Sequence, residues 1–159
     1  MATVEQDVRI ERGTSRDLDC VMRVMEAAFG DRYGEAWTRS QCAGILPMNG
    51  VLLTLARVGH EGEAIGFSLT RSVADESELL LLAVMPDHQG NGIGRLLLEQ
   101  FIDRARSDGA TRVHLEVREG NPAIAMYRAA GFKPVGRRRK YYRAADGRNF
   151  DALTFARTI

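Results

Sequence analysis

Groups able to do chemistry crowd into one stretch of this 159-residue chain. Past Val84-Met85-Pro86 the sequence runs Asp87-His88-Gln89-Gly90-Asn91-Gly92-Ile93-Gly94-Arg95 and then continues into a long apolar-patterned segment. Glycine lets a backbone approach a ligand closely, and the first amides of a helix have no partner inside it. Three glycines where a helix begins therefore make an anion site, best suited to a phosphate group. Spacing excludes two kinds of phosphate loop. The pattern G-x-x-x-x-G-K-[ST] needs a lysine that is absent here, and G-x-G-x-x-G fails because its third glycine falls on Arg95 or Leu97. What remains is Gln89-x-x-Gly92-x-Gly94. A plainer reading stays open at this point: a glycine turn that only lets a helix pack tightly on a sheet. The three histidines, His60, His88 and His114, have no zinc-ligand spacing, so no metal is expected. Cys20 and Cys42 lie too far apart for a redox pair and read as reduced thiols.

The surrounding elements follow from periodicity. Val8 and Ile10 alternate with charges in a short first strand. Leu18, Val21, Met22, Met25 and Phe29 recur at helical spacing and predict a helix over 16–29, with Ser15 as its N-cap and Gly30 as its stop. A weaker helix is expected over 35–46. Strands are expected at 51–58 and 64–73, joined by the turn Gly59-His60-Glu61-Gly62, and again at 78–85. The last of these is almost wholly apolar, which predicts burial on both faces in the middle of a sheet. The helix that opens at the glycine turn carries Ile93, Leu97, Phe101 and Ala105 in one stripe. In the next strand Val113, Leu115 and Val117 alternate with His114, Glu116 and Arg118. Asn121-Pro122 then predicts a helix start at Pro122, and the tail offers strands at 133–142 and 152–158 around Asp146-Gly147. One domain over residues 1–159 is expected at this length, with a mixed sheet of the α/β (α+β) class.

The motifs on these elements resemble the GNAT superfamily of N-acetyltransferases. They are Gln89-x-x-Gly92-x-Gly94 between strand and helix, Leu115-Glu116-Val117-Arg118, Asn121, Ala125-Met126-Tyr127 and Gly131-Phe132. Arg138-Arg139-Lys140-Tyr141-Tyr142, followed by Asp146-Gly147-Arg148 and Asp151-Ala152, is similar to the RimI-like branch, which acetylates the N-terminal alanine of a small-subunit ribosomal protein. The likeness is good over residues 76–155 and elsewhere rests on element order. Asn121 and Tyr127 stand six apart, one fewer than is usual in the family. The resemblance implies a mostly antiparallel sheet with helices on both faces and acetyl-CoA as donor. The coenzyme pyrophosphate would lie on Gln89, Gly90, Asn91, Gly92, Ile93, Gly94 and Arg95. Its thioester would lie along Leu82, Ala83 and Val84, where a backbone amide faces the carbonyl, and Asn121 would touch the pantetheine arm. The resemblance assigns Glu116 as base through a water and Tyr127 as general acid. It also places Arg138, Arg139, Tyr141 and Tyr142 beside the channel of an acceptor, a protein or peptide N-terminus.

Each assignment has a plain alternative. Glu116 sits on the polar face of a strand and could simply pair with an arginine; Tyr127 could be a packing residue of a short helix. His114 reads either as an aid to proton release or as a solvated strand residue. The 22 basic and 21 acidic residues exclude a generally basic nucleic-acid binder. The charge is uneven, however: residues 133–159 hold eight cations and two carboxylates. Arg137 to Tyr142 reads as an acceptor or coenzyme contact, as a charge-guarded edge strand or as a nucleic-acid patch, the last disfavoured by the net acidic remainder. The N-terminus lacks a basic-then-apolar leader and the apolar run Leu79–Met85 is too short to cross a bilayer, so a cytoplasmic chain with no membrane association is expected. The late strands leave an edge, and a monomer or weak dimer is expected. Two other functions stay open: acetylation of a small amine such as an aminoglycoside, polyamine or amino acid, and a non-catalytic coenzyme A sensor. A sensor would need neither Glu116 nor Tyr127, whereas the choice of acceptor cannot come from the fold.

Overall fold

The computed structural model describes residues 7–59 and 62–159, so the expected leaderless N-terminus and the centre of the Gly59–Gly62 turn, with His60, lie outside the described residues. Seven strands form one sheet: β1 (Val8–Arg12), β2 (Val51–Val58), β3 (Ala64–Val73), β4 (Glu76–Val84), β5 (Arg112–Arg118), β6 (Lys133–Arg143) and β7 (Asn149–Thr158). Their order is β1-β2-β3-β4-β5-β7-β6, and β4–β5 is the parallel pair in an otherwise antiparallel sheet. The apolar strand expected in the middle is β4, fourth of seven. Among the described residues four α-helices accompany the sheet: α1 (Leu18–Ala28), α2 (Arg39–Ile45), α3 (Ile93–Ser107) and α4 (Ile124–Ala129). A parallel pair needs a long crossover, and α3 supplies it.

The two faces are buried by different helices. Val21, Val24 and Met25 of α1 pack with Leu53, Leu55, Phe67, Leu69, Leu81 and Ala83. On the other face Leu98, Phe101, Ile102 and Ala105 of α3 pack with Leu79, Val113, Leu115, Val117 and Phe155, and Tyr127 of α4 joins this cluster. Alternation along β5 therefore leaves His114, Glu116 and Arg118 facing away from α3. This is the expected mixed, mostly antiparallel sheet with helices on both faces.

Three helix starts differ from the sequence reading, two because another side chain caps better and one because a side-chain turn delays the helix. Thr14, not Ser15, opens the first helical segment: its hydroxyl accepts from Arg16 N–H, the Asp17 carboxylate accepts from Thr14 N–H, and a short 3-10 turn leads into α1. The second helix starts at Arg39 rather than 35, because Thr38 and Gln41 form a reciprocal capping box. Residues 29–38 are thereby left as a loop. The last helix starts at Ile124 rather than Pro122, because Asn121 Oδ1 accepts from the N–H of Ala123 at 2.8 Å and holds the chain in a turn first.

Candidate active site

A break in the sheet creates the site. β4 and β5 pair from Glu76 and Arg112 as far as Leu79 and Leu115, and no farther. On its other side β4 passes from Thr70↔Leu79 to Leu69↔Leu81, so Leu80 is an extra residue in the ladder. Such a bulge bends its strand, and this one falls where β4 leaves β5. Between the splayed strands lies a cavity of about 830 Å³, lined by Leu82, Ala83 and Val84 of β4, by Glu116 and Arg118 of β5, and by Asn121, Tyr127 and Tyr142. Gln89, Gly90, Gly92, Gly94 and Arg95 line its other end, at the start of α3.

That end is backbone-rich. Gly90 and Gly92 have φ of 80° and 82°, and Gly92 is the N-cap of α3. No acidic residue stands in the first turn to compete for its unpaired amides. Gln89 donates from Nε2 to Val84 O at 3.0 Å, tying the turn to the end of β4. Arg95 pairs with Glu99 at 3.0 Å. Ile93 is buried with Ala56, Ile65, Val84 and Leu97, so only its backbone is available to a ligand, and Asn91 is exposed beside the turn.

The two candidate proton-transfer groups reach the cavity from opposite faces of the sheet. Tyr127 comes from the α3 side and is 6% exposed; burial first, and then the charge of Glu35, push its phenol well above the ordinary tyrosine range. Glu116 comes from the other side, with a side chain 15% exposed, and Arg138 Nε lies 2.6 Å from its Oε1. Pairing with an arginine and lining the cavity thus both hold for Glu116. Tyr141 stands beside them, its phenol raised by burial and by the charge of Glu116. It packs edge-on to Tyr142 with ring centroids 4.9 Å apart. Burial raises the Tyr142 phenol as well, helped by Tyr141 and Glu35.

The basic segment is the sheet edge. Among the described residues β6 pairs with β7 only, and its register slips between Arg138 and Tyr142, with Lys140 in the left-handed region at φ 52°. Asp151 holds this bulge by accepting from Lys140 N–H at 2.9 Å and from Arg137 at 2.8 Å. Of the four residues expected beside the acceptor channel, Tyr142 lines the cavity, Arg138 and Tyr141 surround Glu116, and Arg139 does neither. His114 does not line the cavity either; its Nε2 lies 3.6 Å from Glu78.

One group went unrecognised in the sequence. Glu35, placed by periodicity at the start of a helix, lies in the 29–38 loop and on the cavity wall beside Tyr33. It pairs with Arg118 at 3.0 Å, and the Arg118 guanidinium covers the Tyr33 ring at 3.7 Å. The local signal was the Thr38-x-x-Gln41 box, which moves the helix start past Glu35. Among the described residues, no group of His, Cys, Asp and Glu could hold a metal ion, and no helix is long and apolar enough to cross a membrane.

A parallel pair that splits, a helix that starts on a glycine turn, and Glu116 and Tyr127 on the wall of the resulting cavity are the features that the comparisons with known proteins bear on. The chain belongs to the GNAT family: residues 18–132 match the model described as "Acetyltransferase (GNAT) family". It is 43% identical over 101 residues to the "[Ribosomal protein bS18]-alanine N-acetyltransferase" of Escherichia coli K12, covering 63% of this chain and 68% of that one. It is 42% identical over 101 residues to the "N-alpha-acetyltransferase RimI" of Mycobacterium tuberculosis, covering 60% of each. The crystal structure of the ribosomal-protein-S18-alanine N-acetyltransferase from Escherichia coli superimposes with a TM-score of 0.85, at 32% identity over 96% of this chain and 94% of that one. This chain is an acetyl-CoA-dependent N-acetyltransferase.

Proposed function

We propose that the acceptor is a protein N-terminus, namely the alanine that begins ribosomal protein bS18 in the cytoplasm, and that acetyl passes to it directly with Glu116 as base and Tyr127 as acid. The observation that supports the transfer chemistry is that both side chains line one cavity, which is continuous with the glycine turn; the acceptor is supported by the 43% identity to the bS18-alanine N-acetyltransferase.

The residues present fit the donor. A Cβ on Gly90 or Gly92 would meet nothing within 4 Å, so the turn is open, and the first-turn amides of α3 suit a pyrophosphate. Acetyl-CoA supplies the activated acetyl group there. Beyond Leu79, β4 has no β5 partner, and since Met85 N–H donates to Ile65 O of β3, alternation in the antiparallel β3–β4 ladder turns the Val84 amide toward the gap, where it is available to the charge that develops on the thioester oxygen. Holding both substrates in one cleft supplies proximity.

Proton traffic follows from the side chains. An ammonium group has no lone pair, so Glu116 takes one proton, through a water, to free the amine. A phenol is protonated at neutral pH, and Tyr127, raised further by burial, is there to donate to the departing thiolate. The acceptor nitrogen grows acidic as the amide bond forms and returns a proton to the phenolate. One amide and one thiol result, and the ammonium proton leaves to solvent. Arg138, on Glu116, is the cation that the acceptor ammonium must displace.

The test is thiol release with an alanine-initiated bS18 peptide beside polyamines and aminoglycosides. Tyr127→Phe should lower kcat by a factor on the order of 10² with acetyl-CoA affinity kept, and Glu116→Gln should remove the acid limb of the pH–rate profile. Release with small amines alone would refute the peptide acceptor. An unchanged kcat in Tyr127→Phe would remove that residue from the mechanism.

A further inference from the structure

Glu35 belongs to a loop, yet its side chain is only 10% exposed, and that of its partner Arg118 only 8%. Both carboxylate oxygens are engaged. Oε1 accepts from Arg118 Nε at 3.0 Å and Oε2 accepts from Asn121 Nδ2 at 2.8 Å. The other end of the Asn121 amide accepts from the N–H of Ala123 at 2.8 Å, and Ala123 is the residue from which α4 starts. With six residues and no side-chain cap at that start, α4 has little stability of its own. Tyr127 lies on it, one turn on, its N–H donating to Ala123 O at 3.1 Å. A continuous chain of hydrogen bonds thus runs from Glu35 through Asn121 and Ala123 to the helix that carries Tyr127.

A buried ion pair adds little net stability over an apolar pair of similar size, and its use is often to select one geometry. We infer that Glu35 is a positioning residue for the transfer reaction: it orients Asn121, which sets the start of α4 and so the place of the Tyr127 phenol in the cleft. The inference rests on Tyr127 as the acid. The charge of Glu35 also contributes to the raised Tyr127 phenol, which agrees with their closeness.

The experiment is a donor–acceptor swap. In Glu35→Gln one of the two acceptor positions becomes an NH2, so either Arg118 Nε or Asn121 Nδ2 meets a donor where it had an acceptor. In Asn121→Asp two carboxylates face each other. In the double variant the new amide accepts from Arg118 and donates to the new carboxylate, whose second oxygen still accepts from Ala123 N–H. Each single change should lower kcat about tenfold, in Glu35→Gln with the acetyl-CoA KM within about twofold, and the double variant should return kcat to within about threefold of the parent. In a Tyr127→Phe background, Glu35→Gln should cause no further loss.

Singles that keep full kcat, or losses that multiply in the double variant, overturn the inference, as does a further tenfold loss from Glu35→Gln when Tyr127 is already phenylalanine. If the single variants do not fold, the double decides alone: folded and active supports the swap, folded and inactive overturns it. Full kcat in Tyr127→Phe would overturn the acid role and this inference together. An unrescued double variant beside an impaired Tyr127→Phe overturns this inference only.

Discussion

Two alanine substitutions, two residues apart, should separate what the glycine turn does for stability from what it does for the donor. Gly92 has φ of 82° with no neighbour within 4 Å of a built Cβ, so Gly92→Ala meets a backbone penalty and no clash. That penalty is about 1–2 kcal/mol, reduced by about 0.4–1 kcal/mol because alanine restricts the unfolded chain. The net of about 1 kcal/mol lowers Tm by roughly 2–4 °C in a chain of this size. Gly94 lies within α3 at an ordinary φ, and its built Cβ would sit 3.5 Å from Met126 Sδ and 3.7 Å from Leu82 Cδ2, ordinary contacts. Gly94→Ala should therefore keep or raise Tm, since alanine is favoured over glycine in a helix by roughly 0.5–1 kcal/mol. Both glycines line the cleft at the end proposed for the donor. Acetyl-CoA at 100 times its Kd stabilises a protein by about 2.7 kcal/mol, and a tenfold weaker variant at the same concentration keeps only about half of that. Melting curves of the three proteins, with and without acetyl-CoA at one concentration, read both effects. An acetyl-CoA shift of parental size in Gly94→Ala would refute the turn as the donor site. An unchanged Tm in Gly92→Ala would refute the backbone argument.

Two further expectations follow from the geometry. Tyr127 and Tyr142 are held above the ordinary phenol value of 10.0, chiefly by burial, so their contribution to stability is complete below that pH and is lost as pH rises past it. Melting temperature should fall above about pH 10, less steeply in Tyr127→Phe, and an equal slope in the two proteins would contradict this. Arg138→Gln removes the cation on Glu116 and should lower the peptide KM by roughly threefold, the scale of an exposed ion pair, whereas Arg139→Gln should leave it within about twofold. A rise in KM for Arg138→Gln would instead mean that Arg138 binds the acceptor.

Much of this molecule is legible along the chain because the signals are local. The glycine turn, the stripe on α3 and the alternation in β5 depend on neighbours within a few residues, and all three stand as read. The departures have local causes of a subtler kind. Thr14 and Thr38 outcompete Ser15 and the residues around 35 as helix caps, and Asn121 uses its side chain to delay α4. Glu35 was missed because a helix drawn over 35–46 makes it an ordinary first-turn carboxylate, and its partners Arg118 and Asn121 are more than 80 residues away.

The sequence by itself determined the element order, the central apolar strand and the glycine turn that opens α3, since periodicity and backbone freedom are properties of short segments, and its motifs singled out Glu116 and Tyr127 as the proposed base and acid. Only the tertiary structure decided that β4 parts from β5 after Leu79, that Glu116 and Tyr127 enter the gap from opposite faces, that Arg138 stands on Glu116, and that Glu35 fastens a distant loop to the start of α4. The physical reason is that register, bulge position and the partners of a buried charge are fixed by packing among segments far apart in the chain. Cleft chemistry lives on those relations.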